Sequence, residues 1–351
     1  MHINNLIIGQ GLAGTFLCRA LQKTGQSCFV IDEPRPFAAS RVASGVVNPV
    51  TGRRLVKTWL IDDLLPSMQL LYGELEQELD IRCLEQKDVI DFFPSPQMRL
   101  AFLDRLREDP RYLSVQKGAA DWSLYLQFDF DYGTIQPCYL VNVQVLLQAF
   151  RKELLRNGTL WEAAFDTGQL RTEPDLIRYH DLTADRIIFC NGSTGAENPY
   201  FKNLPFAPNK GEVLIVDVPA LPRTHILKKS LSLVPWKDGL FWAGSSHEWE
   251  FTHDQPTEQF RNKTVEQLKA FLKIPFTVVD HLASVRPATL ERRPFVGFHP
   301  QHPSIGIFNG MGTKGCSLAP YFAHQFAQHI AYHEPLAPEV DIQRFKRVLG
   351  R

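Results

Sequence analysis

The hydrophobic pattern near the N-terminus alternates between short apolar runs and one helical stripe. The apolar run at 6–8 predicts a buried strand, and Leu17 and Leu21 mark the buried face of a helix that follows it. Gly25 is expected to end this helix, and "CFVIDE" predicts a second buried strand. The order strand, helix, strand is typical of the βαβ unit of a parallel sheet.

Four further segments predict helices by the spacing of their apolar residues. These segments are 61–80, 143–156, 257–273 and 317–331. Another apolar run, "ADRIIFCNG", predicts a buried strand that ends at Asn191 and Gly192. A glycine at the carboxyl end of such a strand indicates ligand contact at the edge of the sheet.

The pattern changes after Gly211, where alternating or purely apolar runs are separated by turn residues. The runs "GEVLIVDVP", "SLSLVPW" and "GLFWAGSSHEW" predict antiparallel strands. The chain then leads back to a glycine-rich loop near 310, so we expect this region to be inserted into the first. The predicted fold class is α/β (α+β overall), with a Rossmann-like domain and an inserted domain of antiparallel β-sheet plus helices.

The first strand runs directly into a glycine motif. Gly9, Gly11 and Gly14 have the spacing G-x-G-x-x-G, in which the three glycines permit a tight turn, close approach of a pyrophosphate and helix–strand packing. The helix that begins near Leu12 and Ala13 directs free N–H groups and a partial positive charge at the phosphates. This motif predicts a dinucleotide site without separating FAD from NAD, and the alternative is a glycine-rich turn without a ligand.

An acidic residue at the end of the second strand completes this pattern. Asp32 lies 18 positions after Gly14, about where an acid meets the ribose hydroxyls, and Glu33 is the alternative for that role.

A second glycine motif follows the run "SIGIF". Gly310, Gly312 and Gly315 repeat the same spacing, but no apolar strand follows the next helix, so a second dinucleotide site is not expected. A glycine loop at a helix N-terminus still suits negative charge, and Lys314 beside Thr313 adds a cation. A reduced flavin needs such a place near its N1–C2=O edge.

The stretch between the second strand and Trp59 is rich in small and basic residues. Ser44 and Gly45 would let the backbone lie close to a flat or phosphorylated ligand. The cations of this stretch are Arg41, Arg53, Arg54 and Lys57. The alternative is a solvated loop that carries charged side chains.

Composition and charge narrow the class of protein. A length of 351 residues favours two domains. The 38 basic and 38 acidic side chains balance, so a nucleic-acid partner is not expected. The six cysteines are scattered, which favours a reducing compartment without disulfides and predicts no metal site. With neither an apolar run long enough for a membrane span nor a signal peptide, a cytoplasmic location is expected.

In order and content, the motifs resemble the D-amino-acid oxidase-like flavoprotein family. That family includes glycine oxidase, sarcosine oxidase, D-amino-acid dehydrogenases and the FAD domain of a tRNA-wobble-uridine modifying enzyme. The shared blocks are "IIGQGLAG…VIDE", "ASRVASGVVNP", "ADRIIFCNG", "KGEVLIV…VPWKDGLFWAGSSHE" and "VRPATLERRPFVG…GIFNGMGTKGCSLAP". The last block is more specific than the first, which many FAD and NAD proteins share.

The resemblance implies that both glycine loops serve one FAD, the first at its pyrophosphate and the second beside the flavin pyrimidine edge. It implies Asp32 on the adenosine ribose, and non-covalent attachment because "ASVRPAT" lacks the cysteine of sarcosine oxidase-like members. The expected FAD-binding domain comprises 1–60, 140–205 and 285–351, and the expected substrate-binding domain comprises 61–139 and 206–284. The expected cofactor-binding residues are Gly9, Gly11, Leu12, Ala13, Gly14, Asp32, Glu33, Arg41, Ser44, Gly45, Asn191, Gly192, Arg286, Gly310, Gly312, Thr313, Lys314 and Gly315.

The resemblance also implies a substrate site. Arg286 stands where glycine oxidase-like members hold the substrate carboxylate, and a guanidinium matches a carboxylate with two parallel hydrogen bonds. The alternative for Arg286 is a structural salt bridge. Ser232 and His247 would face the substrate, although some relatives have a tyrosine at the position of Ser232, which makes an ordinary small amino acid less certain as the substrate. The expected catalytic residues are thus Arg286, Lys314, His247 and Ser232.

The predicted function is oxidation of a C–N bond in a small amine or amino acid, with hydride transfer to flavin N5. The basic stretch at 41–57 points to an anionic or extended substrate. Two alternatives stay open: an NAD(P)H-dependent flavin reductase or dehydrogenase, and a non-catalytic flavoprotein that binds an anionic ligand.

Overall fold

Two large β-sheets and the helices that cover them make up most of the chain. The computed structural model describes residues 1–52, 54–115, 118, 120–173 and 176–350. The strands are β1 (His2–Ile8), β2 (Cys28–Ile31), β3 (Val46–Val47), β4 (Val50–Thr51), β5 (Val56–Lys57), β6 (Leu84–Gln86), β7 (Val89–Phe92), β8 (Leu113–Ser114), β9 (Tyr132–Ile135), β10 (Tyr139–Val141), β11 (Leu160–Trp161), β12 (Leu170–Glu173), β13 (Leu176–Tyr179), β14 (Leu182–Phe189), β15 (Asn209–Asp217), β16 (Ile226–Lys228), β17 (Ser232–Pro235), β18 (Phe241–Gly244), β19 (Thr277–Arg286), β20 (Phe295–His299) and β21 (His302–Asn309). The α-helices are α1 (Leu12–Lys23), α2 (Ala39–Val42), α3 (Ile61–Leu79), α4 (Pro96–Glu108), α5 (Val143–Arg156), α6 (Glu258–Phe271), α7 (Gly315–Tyr332) and α8 (Lys346–Leu349). Short 3₁₀ helices cover Pro110–Tyr112, Trp122–Leu124, Thr167–Gln169, Gly192–Glu197, Lys237–Gly239 and Ile342–Phe345.

The first sheet has a parallel centre in the order β11-β2-β1-β14-β21. In its register Ile8 is paired with both Ile31 and Phe189, and Phe189 is paired with Ile307. The carboxyl ends of β1, β2, β14 and β21 therefore meet at one edge of the sheet. The antiparallel pairs β12–β13 and β20–β21 extend the sheet beyond its parallel centre.

Helices α1, α5 and α7 pack together over this sheet, and α3 packs against α7. Their shared core includes the fully buried Leu17, Met68 and Phe322. The helices predicted over 61–80, 143–156 and 317–331 are confirmed as α3, α5 and α7. Because α3 joins the core of the first sheet, the division of the chain into two domains stays a prediction.

The second sheet has the order β19-β15-β18-β17-β16-β7-β9-β8. Its neighbours are antiparallel, as predicted after Gly211, except for the parallel pair β16 and β7. Helix α6, predicted over 257–273, covers this sheet through buried Leu268 and Phe271, and Thr257 caps its N-terminus. Two small antiparallel sheets, β3-β10-β6 and β4-β5, complete the strands.

The second glycine motif does not begin a second βαβ unit. It joins β21 to α7, and the described residues that follow α7 form only a 3₁₀ helix and the short α8. The described residues after α7 thus form no β-strand that could complete a second βαβ unit. No helix of the described chain combines the length and the apolar character that crossing a membrane requires.

Candidate active site

Four loops meet at the edge where the parallel strands of the first sheet end. They follow β1, β2, β14 and β21, and the connections they begin carry the residues predicted for the cofactor except Arg286. Asn309 ties two of these loops together, because its Nδ2 donates to the Gly192 carbonyl over 2.8 Å and its Oδ1 accepts from the Gly310 amide. The first turns of α1 and α7 also abut, since a Cβ on Gly315 would lie 3.4 Å from Leu12 Cδ1.

The glycines of the first loop are required by close backbone approach. A Cβ on Gly14 would lie 1.8 Å from the Gly9 carbonyl oxygen, and a Cβ on Gly9, which has φ +102°, would lie 2.7 Å from the Cys190 carbonyl oxygen. Gly11 caps α1, whose Leu12 amide donates to Ser40 Oγ over 3.2 Å. The contact of Ser40 with the helix N-terminus was not predicted, although Ser40 lies in a run of small residues.

Asp32 lies inside this loop cluster, whereas Glu33 does not. One oxygen of Asp32 accepts from the Gln10 amide at 2.8 Å, and the other pairs with the Arg151 guanidinium at 2.6 Å. Glu33 is exposed and pairs with Arg35. Asp32 is therefore the better candidate for a ribose contact, and its two oxygens have lone pairs left for hydroxyl donors. Arg151 could not be predicted here, because it comes from α5, 119 residues further along the chain.

An unpaired acceptor lies at the end of β14. Asn191 Oδ1 is buried and has no hydrogen-bond partner in the described part of the chain, while neighbouring Gly192 has φ +62° and open space around its Cα. Buried polar atoms usually have a partner, so this oxygen fits a ligand that supplies a donor.

The second glycine loop places a cation beside the N-terminus of α7. Gly310 and Gly312 have φ values of +79° and +56°, and Thr313 is exposed. Lys314 directs its Nζ to Thr58 Oγ1 at 3.3 Å, and no carboxylate of the described residues pairs with it. Burial lowers the pKa of Lys314 to about 8.

Arg286 ends β19 and lies against the backbone of β15. Its guanidinium donates to Asn209 Oδ1 at 2.7 Å, to Ser245 Oγ at 2.8 Å and to the Ser246 carbonyl at 3.1 Å. Gly211 makes room for it, since a Cβ there would lie 1.9 Å from the guanidinium. In the described part of the chain no carboxylate forms an ion pair with Arg286, and burial lowers its pKa. The alternative of a structural salt bridge therefore receives no support.

A small cleft of about 280 Å³ adjoins the group that holds Arg286. Ser44, Ser232, Ser245 and His247 all line it. Burial, together with the nearby Arg286 charge, lowers the pKa of His247, so the imidazole is neutral at pH 7. The structure thus brings together the predicted residues Ser232 and His247 with Ser245, a residue that sequence reasoning missed.

The remaining predicted residues of the stretch at 41–57 that the structure describes do not line the small cleft. Gly45 has φ +81° and packs closely against β10. A Cβ at this position would lie 1.9 Å from the Val141 carbonyl oxygen. Arg41 is partly buried in α2, and Lys57 is exposed and paired with Asp62. Arg54 is exposed and Arg53 lies outside the described residues. Of the described residues at 41–57, only Ser44, Val46 and Asn48 line the small cleft.

Comparison with known proteins shows which family the chain matches. A family model described as FAD dependent oxidoreductase matches residues 5–329. Glycine oxidase from Pseudomonas aeruginosa is 27% identical over 94% of this chain and 95% of its own length. Among solved structures, glycine oxidase from Bacillus cereus has a TM-score of 0.79 at 16% identity and covers 95% of this chain and 96% of its own. Iminodiacetate oxidase from Chelativorans sp. has a TM-score of 0.76 at 21% identity and covers 97% of this chain and 98% of its own.

Proposed function

The chain belongs to the family of FAD-dependent oxidoreductases, and we propose that it oxidises the C–N bond of a small amine or amino acid whose carboxylate is held by Arg286. The enzyme class and the cofactor follow from the family, and the relatives named above are oxidases of amino acids and amines. The substrate and the roles of single residues are proposals that rest on the geometry of the two loops and the small cleft.

FAD fits the edge of the first sheet. The glycine loop at α1, the remaining lone pairs of the Asp32 oxygens and the unpaired Asn191 Oδ1 are groups that a bound dinucleotide would complement. Burial raises the pKa of Cys316 in the second loop to about 12, so its thiol is not a reactive thiolate, which suits non-covalent binding. When bound, FAD supplies the acceptor for a hydride from the carbon next to the substrate nitrogen.

Arg286 is the observation that carries the substrate proposal. Three neutral acceptors fix its guanidinium, but none of them cancels its charge. A substrate carboxylate would supply the missing negative charge and could accept two parallel hydrogen bonds from the guanidinium group. Arg286 would then position the substrate, and hydride transfer depends mainly on the correct positioning of the substrate.

The small cleft supports a compact substrate next to Arg286. Its volume of about 280 Å³ is near the lower limit for ligand sites, which begin at roughly 300 Å³. His247 is neutral at pH 7 and can accept or donate a hydrogen bond to the substrate amine without adding repulsion. Ser232 would leave room where a larger side chain would fill the cleft.

Lys314 and the N-terminus of α7 would act on the cofactor. Both place positive charge at the second glycine loop, where an electron-rich ring that gains negative charge would be stabilised. Lys314 would contribute this charge only while it is protonated, below about pH 8.

The test is the absorption spectrum of the purified protein, recorded anaerobically before and after addition of glycine, sarcosine and D-amino acids. Loss of the flavin band is the expected result, and single compounds then identify the substrate. Bleaching by NADPH alone, with no response to any amine, would instead favour a flavin reductase. A flavin band that neither amines nor NADPH bleach would favour a non-catalytic flavoprotein.

A further inference from the structure

A second, larger cleft adjoins the small one. It encloses about 520 Å³ and is lined by residues of β6, β10, the start of α5 and the turn after β17. This volume lies within the range of roughly 300–1,000 Å³ that is typical of small-molecule sites. Ser44 lines both clefts, so the two are neighbours that share this residue.

The side chains of the larger cleft carry an excess of positive charge. Arg82, Lys87, Arg223 and Lys237 line it, whereas Glu85 is its one acidic side chain among the described lining residues. Lys87 pairs with Glu85 at 2.9 Å, and the other three cations form no ion pair with a described carboxylate. The cleft therefore holds three cations without counter-ions.

Arg223 is fixed in the wall of this cleft by neutral groups. Its guanidinium donates to the carbonyls of Trp236, Gly239 and Leu240, and it lies 5.0 Å from the centre of the Phe241 ring. Burial lowers the pKa of Arg223, and no acidic group opposes this effect. The arrangement repeats that of Arg286, since both guanidinium groups are held rigidly while their charge stays uncompensated.

From this arrangement we propose that the larger cleft binds an anionic group, a phosphate or a carboxylate, of a ligand that extends past Ser44 from the small cleft. If the enzyme oxidises an amine bound in the small cleft, its preferred substrate carries two anionic groups. One is the carboxylate held by Arg286, and the other binds in the larger cleft. This substrate preference rests on the proposed function, whereas anion binding by the cleft does not. The sequence predicts that the cations at 41–57 bind an anionic or extended substrate. In this proposal, the cations of the larger cleft bind its anionic part instead.

The binding test uses the FAD-loaded enzyme and two probes, inorganic phosphate and citrate, titrated calorimetrically at constant ionic strength. The main variant combines Arg82→Gln with Lys237→Gln, because both side chains are exposed and neither is needed for a described ion pair. Lys263→Gln is the matched control, since Lys263 is exposed and lines neither cleft. Arg223 is not substituted, because its three backbone contacts tie it to the fold.

We expect at least one probe to bind, and the double variant to bind it about tenfold more weakly, as for the loss of two cation–anion contacts. Lys263→Gln should bind it as the wild type does. Stronger binding of phosphate would identify a phosphate group, and stronger binding of citrate a carboxylate. Absence of binding by both probes, or equal binding by the double variant, would overturn the proposal.

A second measurement separates this proposal from the proposed function. Turnover of an N-alkylglycine is compared with that of an N-alkylglycine whose chain ends in a carboxylate. The double variant should lower kcat/KM about tenfold for the second compound alone. Equal loss for both compounds would contradict the extended substrate. If neither compound reduces the flavin while the probes still bind, the proposed function fails and the anion site stands.

Discussion

The edge of the first sheet and the clefts beside the second sheet handle charge in opposite ways. At the first edge, the acid of the cofactor loop is already paired, Asp32 with Arg151 at 2.6 Å, and the loop relies on glycines and backbone amides. Arg223 in the wall of the larger cleft and Arg286 beside the small cleft are held by neutral acceptors and form no ion pair with a described carboxylate. On the proposed function, backbone geometry would bind the dinucleotide at the edge of the first sheet, and fixed positive charge would bind the anionic ligand beside the second sheet.

The contrast also exists within the second sheet. Lys210 is buried, and its charge is compensated by Glu212 at 3.2 Å; on the same strand Gly211 provides the space for the unpaired Arg286. Arg344, another partly buried arginine, pairs with Glu291 at 3.2 Å. Within the described residues, Arg286, Arg223 and Lys314 form no ion pair with a carboxylate, although each of them is partly buried.

The largest expected effect comes from the backbone of the cofactor edge. Gly14→Ala places a Cβ 1.8 Å from the Gly9 oxygen, so the loop must move. We expect FAD affinity to fall by up to about 100-fold, the equivalent of about 3 kcal/mol of overpacking. The measurement is the FAD dissociation constant from flavin fluorescence.

The control for this substitution is Gly73→Ala in α3, where a Cβ meets no atom within 4 Å. It should leave FAD affinity unchanged and stabilise the protein by about 0.5–1 kcal/mol, because alanine loses less conformational freedom in a helix. Normal FAD affinity in Gly14→Ala would contradict the role of this loop.

A smaller effect is expected at the border between the two regions. Lys314→Met should lower the midpoint potential of the bound flavin by about 30–60 mV, because a charged hydrogen bond contributes about 1.5–3 kcal/mol and 30 mV corresponds to about 1.4 kcal/mol for two electrons. The potential is measured by dye-coupled reductive titration.

The pH dependence of this effect has a definite sign. Burial lowers the pKa of Lys314 to about 8, so the side chain is cationic well below that pH and neutral above it. The difference in potential between wild type and Lys314→Met should therefore be present below about pH 8 and fade above it. A difference that stays constant through this range would exclude the lysine charge as its cause.

The sequence was informative where the site depends on neighbours in the chain. The glycine loops, Asp32 and the helices over 143–156 and 317–331 follow from local spacing, and the structure places the loops at one edge. Partners from distant segments were not predictable, as Arg151 for Asp32 and Ser245 for Arg286 illustrate. Helix α4 was missed although Ser95 and Pro96 form a recognisable N-cap, because its apolar stripe is weak and only Phe102 is buried.

The role expected for the basic stretch at 41–57 stays a prediction for the same reason. Charge is readable from sequence, but its compensation is not: Lys57 is paired with Asp62, whereas Arg82 and Lys237, which lie far from each other in the chain, share a cleft.

The central claim is that the uncompensated charge of Arg286 binds the substrate carboxylate. The most direct measurement compares kcat/KM of wild type and Arg286→Gln for the amino acid that reduces the flavin fastest and for its amide, with Arg344→Gln as control. The account predicts a loss of about 10- to 150-fold for the acid, from about 1.5–3 kcal/mol, with little change for the amide, full FAD content and a wild-type response in Arg344→Gln. Unchanged kinetics for the acid, or an equal loss for acid and amide, would contradict it.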